Sequence, residues 1–253
     1  MNFELIPILI LVLLYGLVVG SFLNVCIYRI PKAETIVTER SHCMSCGYQL
    51  KWYDMIPVAS WLALGGRCRK CKARISAQYP IVEAVNGILY VIVFLANGVN
   101  LTSVLYCLLV SALLVLSVID FRTYEIPVGI NIFILVLGLI HIALDYHNWA
   151  QYVIGLFAIS LPLLLLLVLS KGRAIGGGDV KLMAAAGLLL GYKGIILAFL
   201  LGCILGSVIH LIRMKVSDAE HMLAMGPYLA LGIFLAALWG ESWIAAYVNL
   251  FAG

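Results

Sequence analysis

Long apolar stretches dominate the chain and short polar ones separate them. The apolar runs cover approximately 5–28, 80–97, 102–119, 126–144, 152–169, 180–191, 194–212 and 222–240, with a shorter one at 242–252. They are continuously apolar rather than alternating, so they predict helices and not barrel strands. A helix crosses a bilayer core with about 20 mostly apolar residues. The runs at 180–191 and 242–252 are short enough to be half-spans or interfacial helices. The pattern therefore predicts an all-α, polytopic membrane fold with seven or eight crossings. One long polar segment interrupts it. The expected organisation is a first transmembrane helix at 1–28, an insertion at 29–79 and a helical membrane domain at 80–253.

Composition strengthens this reading. Of 253 residues, 64% are hydrophobic and 11% charged; ordinary soluble domains have roughly 45–50% and about 25%. A soluble globular domain and a disordered chain are both excluded. The first run lacks a basic flank, Glu4 being its only early charge, and it is longer than a signal-peptide core. It reads as a span.

The charges orient the chain. Arg29, Lys32, Arg40, Lys51, Arg67, Arg69, Lys70, Lys72 and Arg74 place nine of the sixteen basic residues in 29–79, against Glu34, Glu39 and Asp54. The positive-inside rule puts that segment in the cytoplasm and the N-terminus outside it. Arg122, Lys171, Arg173, Lys181, Arg213 and Lys215 then also fall inside, and only Lys193 outside, if 180–191 and 194–212 form a down-and-up pair. Such a basic surface suits anionic lipid or simple solubility. It lacks the aromatic interleaving of a nucleic-acid binder, so no nucleic-acid partner is expected.

Four of the seven cysteines form two pairs, Cys43-x-x-Cys46 and Cys68-x-x-Cys71, with 21 residues between them. Two such knuckles can wrap one tetrahedral ion, each supplying two thiolates. Gly47, Gly65 and Gly66 supply turn freedom beside them. Disulfides or a redox pair are the rivals, and a reducing cytoplasm disfavours disulfides. The expectation is a structural zinc: four thiolates close the site, and about 50 residues make a small core without a staple. Cys26, Cys107 and Cys203 lie in apolar runs and read as small buried hydrophobes.

Acidic residues are few. Asp120 ends the third run and Asp179 opens the sixth, and both are expected at the cytoplasmic edge of the membrane. Ionisable groups there are functional candidates by default. Two paired aspartates can hydrolyse a peptide bond, one ionised and taking a proton from water, the other donating to the carbonyl oxygen. Asp120 at a helix C-terminus and Asp179 at a helix N-terminus suggest that Asp120 is the protonated partner. Gly176, Gly177 and Gly178 would permit a tight turn and the close approach of a substrate backbone. Lys181 and Arg29 are candidates to neutralise a carboxylate or hold a substrate end. Asn24, near Gly20 and Ser21, and Glu83, after Pro80, read as interhelical contacts or support for the site. His141, Asp145 and His147 read as outer-surface polarity.

These residues carry a family pattern. Gly20-Ser-Phe-Leu-Asn24-Val, the two cysteine pairs, Trp52-Tyr-Asp-Met-Ile-Pro57, Ser60-Trp61-Leu62, Arg74-Ile-Ser and Tyr79-Pro-Ile-Val-Glu83 occur in order. Asp120, Gly176-Gly-Gly-Asp179-Val-Lys181-Leu and Gly226-Pro227-Tyr-Leu-Ala follow. The chain resembles the bacterial type IV prepilin peptidases, which serve pilins and type II secretion pseudopilins. The resemblance implies a GxGD-class aspartyl endopeptidase of the inner membrane, with Asp120 and Asp179 catalytic. It implies cleavage of prepilin leaders on the cytoplasmic side, followed in many members by N-methylation with S-adenosylmethionine. The residues that would hold the methyl donor stay unassigned. Two other readings stand beside it. One is an ion- or proton-coupled transporter using the two aspartates, although transporter sites lie near the midplane at repeat interfaces. The other is a membrane-tethered zinc module that binds a partner through 29–79 alone. The pilin set and the oligomeric state stay open.

Overall fold

The computed structural model describes residues 5–37, 40–173, 175–216 and 223–252. Glu39, Met222 and the side chain of Lys215 lie outside the described residues. Helices account for nearly all regular structure: α1 (Leu5–Arg29), α2 (Ala59–Ala63), α3 (Gln78–Asn97), α4 (Leu101–Thr123), α5 (Val128–Leu144), α6 (Trp149–Ala158), α7 (Ser160–Leu169), α8 (Gly177–Val216) and α9 (Gly226–Ala252). Among the described residues no strand forms, and the only bridges are isolated ones, His42 with Gln49 and Arg67 with Arg74.

Among the described residues six helical stretches are long and apolar enough to cross a membrane, and α5, at 17 residues, is a shorter apolar helix. The long helices are fewer than the apolar runs because neighbouring runs merge. α8 joins 180–191 to 194–212, and α9 carries on through 242–252. α8 is broken at Gly191, whose φ of +71° and ψ of 173° are not helical. α6 and α7 divide at Ile159. The break has a local cause, because Pro162 offers no N–H to the carbonyl of Ala158 and its ring crowds that oxygen.

The chain divides into two compact units, Met1–Val99 and Asn100–Gly253. In the first, α1 packs on α3 along a seam of small residues. A methyl group on Gly16 would lie 2.8 Å from Gly87 Cα, and one on Gly20 2.7 Å from Glu83 Cα. Polar bonds reinforce the seam: Asn86 Nδ2 donates to Gly16 O at 2.7 Å and Asn24 Nδ2 to Tyr79 O at 3.1 Å. The opposite side of α1 is bare, with Leu11 67% and Val18 58% exposed, as a lipid-facing stripe requires. In the second unit the same device recurs. Gly155 on α6 meets Gly187 on α8, and Gly232 on α9 meets Ala198 on α8, each too closely to admit a Cβ. Without a hydrophobic drive between helices in lipid, close backbone contact of this kind supplies the packing.

Candidate active site and metal centre

Asp120 occupies the last turn of α4. The helix ends at Tyr124, in the left-handed region at φ +55°, whose N–H returns to Asp120 O. The side chain is 4% exposed, and its Oδ2 accepts the N–H of Gly226, the first residue of α9, at 2.8 Å. Asp179 lies in the first turn of α8 and is 8% exposed. The backbone of Gly176 hydrogen-bonds its carboxylate, and the charge of Asp120 acts on it. The structure thus brings together the two aspartates that the sequence placed on different helices.

Two contacts at this site were not read from the sequence. The first is the start of α9. Because Gly226 N–H points at Asp120, both aspartates face a helix N-terminus. The helix-end argument that separates them in sequence therefore no longer does so. Gly226 is in close contact as well: a Cβ there would come within 2.6 Å of Asp120 Oδ2. The second is Asn131 on α5, 4% exposed, whose Nδ2 reaches Gly178 O at 3.5 Å while its Oδ1 has no partner. One asparagine in an apolar run gives no periodic signal.

The three glycines differ from expectation. None has a positive φ, so turn strain is not what requires them. Space is, at two of the three. A Cβ on Gly178 would meet Ile126 Cβ at 2.9 Å and one on Gly176 would meet Asp179 Oδ2 at 3.0 Å, whereas Gly177 has only Leu167 Cδ2 at 4.0 Å. Lys181 is exposed on α8. Asn24 and Glu83 belong to the first unit. Asn24 ties α1 to α3, and Glu83 Oε2 accepts the N–H of Val58 at 2.7 Å. Val58 is β-branched yet has φ +58°, an unfavourable conformation that this bond holds in place. Arg29 is buried and donates to Thr35 O at 2.9 Å.

The cysteine pairs fold as two copies of one turn. Cys43 N–H bonds Tyr48 O and Gly47 N–H bonds Cys43 O; Cys68 N–H bonds Ala73 O and Lys72 N–H bonds Cys68 O. The residue after each second cysteine is left-handed, Gly47 at φ +67° and Lys72 at +62°. The four sulfurs lie within 4.8 Å of one another, with Cys43 and Cys71 3.8 Å apart. Tetrahedral zinc with Zn–S of about 2.3 Å sets sulfurs roughly 3.8 Å apart, so the donor set fits that ion. Backbone N–H groups of Cys71 and Lys70 bring the Cys68 thiol down to about 6. Ala73 N–H draws Cys71 down, but desolvation and the neighbouring sulfurs outweigh it and push the thiol up to about 11. Four crowded sulfurs cannot all ionise without a cation among them. Nearby, Asp54 is buried, and burial alone would raise its carboxyl. Bonds from Arg69 Nε (2.7 Å), Lys51 N–H (3.2 Å) and Tyr48 OH (3.2 Å) outweigh burial and hold it below the usual range.

A multi-pass helical membrane protein with a buried aspartate pair and a four-thiol module is what fold and site define. Comparison with known proteins agrees. Residues 14–97 match the Bacterial Peptidase A24 N-terminal domain and residues 107–211 the Type IV leader peptidase family. The chain is 32% identical to the prepilin leader peptidase/N-methyltransferase of Pseudomonas putida, over 93% of its own length and 92% of that protein's. It is 32% identical to the protein of that name from Pseudomonas aeruginosa (95% and 93% covered), and 30% to the one from Bacillus subtilis (95% and 98%). No solved structure matches it. The chain belongs to the type IV leader peptidase family.

Proposed function

We propose that this protein is the endopeptidase that removes the leader of type IV prepilins or pseudopilins at the cytoplasmic face of the bacterial inner membrane. We further propose that it methylates the new N-terminus. One observation carries the proteolytic reading: two nearly buried carboxylates stand at the meeting ends of different helices, where Ile126, just after α4, lies against Gly178 beside Asp179. Both sit in terminal helical turns rather than midspan, which suits a substrate entering from the membrane edge better than an ion pathway.

The chemistry needs only the pair and water. Crowded carboxylates share one proton. The ionised member takes a proton from water as the water oxygen bonds to the scissile carbonyl carbon. The protonated member gives its proton to the carbonyl oxygen. The resulting diol collapses as a proton passes to the leaving nitrogen and the C–N bond breaks, which frees a leader carboxylate and a new amine. Gly226 N–H orients Asp120, and the Gly176 backbone orients Asp179. The four cysteines hold a structural zinc that fixes the insertion. S-adenosylmethionine would supply the methyl group for the amine; no residue of this chain is assigned to hold it. The basic insertion is cytoplasmic and the N-terminus external.

The test is co-expression with a cognate prepilin in a host lacking its own peptidase, then an intact mass of the pilin N-terminus. Loss of the leader is expected, with a further shift of one methyl group. Asp120→Asn and Asp179→Asn should each abolish cleavage at unchanged abundance. An uncut leader with folded wild-type protein, or substantial cleavage by either variant, overturns the reading.

A further inference from the structure

Four large apolar side chains of the insertion point outward between the two knuckles. Trp52 is 75% exposed, Leu62 64%, Met55 45% and Ile56 44%. Four large apolar side chains exposed within eleven residues mark an interaction surface.

The place of the segment identifies its partner. Val58 N–H is bonded to Glu83, five residues into the 20-residue α3. At 1.5 Å per residue that is about 7–8 Å along a helix of about 30 Å, the thickness of a hydrocarbon core. The segment is therefore pinned beside the end of a membrane-crossing helix. Ser60 N–H to Ile56 O (3.1 Å) and Leu62 N–H to Val58 O (3.0 Å) keep Ile56 and Leu62 within one turn of that anchor.

Charge points the same way. From residue 40 to residue 79 there are seven basic residues and a single acid, Asp54. Asp54 is buried and paired with Arg69, so it does not offset the exposed surface. Lys51, Arg67, Lys70 and Arg74 are all exposed.

We propose that residues 51–62 dock on the bilayer surface. Trp52, Met55, Ile56 and Leu62 seat at the boundary of headgroups and acyl chains, and the surrounding basic side chains engage anionic headgroup phosphates. Tryptophan beside lysine and arginine is the composition that such a boundary selects. The metal module then lies against the membrane rather than swinging on its two tethers. This inference does not depend on the peptidase reading.

The test uses the full-length protein in nanodiscs, with a benzophenone amino acid replacing Trp52, Leu62 or Met55 one at a time. Leu11 on the bare side of α1 serves as the lipid-facing control. Metal content and unchanged insertion of each variant establish folding. Mass spectrometry after illumination should show lipid adducts at the three positions. Their yield should rise several-fold when phosphatidylglycerol is included and fall again at high salt or in a Lys51→Gln/Arg67→Gln/Arg74→Gln variant. Adducts at Leu11 but none at the three positions would overturn the proposal. So would capture of added prepilin or nucleic acid in place of lipid.

Discussion

At the residue scale, the site is governed by which side chains leave room for the aspartates. The positions of Asp120 and Asp179 at helix ends were legible in the sequence because acids are scarce in apolar runs. Gly226 stood in the sequence only as one member of the family pattern, with no part at the site attached to it. Its importance depends on a contact across 106 residues. A Cβ at Gly226 would meet Asp120 Oδ2 at 2.6 Å, while one at Gly177 meets nothing nearer than 4.0 Å. Misplacement by about 1 Å can cost about 100-fold in rate. Gly226→Ala should therefore lower prepilin cleavage by about that factor, and Gly177→Ala should leave it nearly unchanged, as read from initial rates in proteoliposomes. Equal rates in the two would detach Gly226 from the site. Asp54 gives a separate test. Its folded carboxyl titrates below the ordinary aspartate value. Its contribution to stability is therefore complete above that ordinary value, about 3.9, and is lost as pH falls through the lower folded value. At neutral pH, Asp54→Asn should lower the thermal midpoint of the insertion, and the gap from wild type should close below about pH 4. A gap that stays constant with pH would leave Asp54 no electrostatic part.

At the scale of elements, the knuckles were the most legible feature, because C-x-x-C spacing dictates a tight turn whatever surrounds it. The repeat inside them was half visible. Gly47 announces a left-handed residue, but its counterpart is Lys72, which no propensity would select. Lys72 is held there by the turn's own hydrogen bonds, Lys72 N–H to Cys68 O and Cys68 N–H to Ala73 O, which override local preference, and a metal on the four thiols would lock both turns together. Cys43→Ser or Cys68→Ser should then release the metal and loosen both turns together. Metal analysis and hydrogen exchange over 40–75 would report it, and full metal content in both variants would contradict the four-thiolate site. The packing seams were less legible. Gly16, Gly20 and Gly87 mark small-residue faces, but the pairing of α1 with α3 rather than with a later helix depends on complementary bumps that a single sequence does not display. Asn24 and Glu83 fell between two expectations, and in the structure they bond the seam and the insertion.

At the scale of the whole molecule, orientation depends on α8. Its 40 residues would measure about 60 Å as a straight helix, twice the hydrocarbon thickness, so it cannot be one crossing. The break at Gly191 leaves segments of 14 and 25 residues. The first segment is too short to face lipid alone, and it does not: Leu182, Met183, Ala186 and Leu189 are completely buried among neighbouring helices. Gly202 and Gly206 of the second segment lie against Leu229 and Tyr228 at the start of α9, whose Gly226 touches Asp120. The segment after Gly191 therefore runs back toward the end of the bundle that holds Asp179, and Lys193 stands at the turn on the other face. Within the second unit this leaves Arg122, Lys171, Arg173, Lys181 and Arg213 available to one face and Lys193 alone on the other, the asymmetry that the positive-inside rule associates with a cytoplasmic face. The apolar pattern alone could not decide this, because one positive-φ glycine separates a long helix from a folded pair. Lys193→Cys should accordingly react with a membrane-impermeant maleimide in intact cells, above the wild-type background. Lys171→Cys should react only after the membrane is opened. Labelling of both from outside, or of Lys171→Cys alone, would reverse the orientation and move Asp179 away from the cytoplasmic face where the substrate is proposed to be cut.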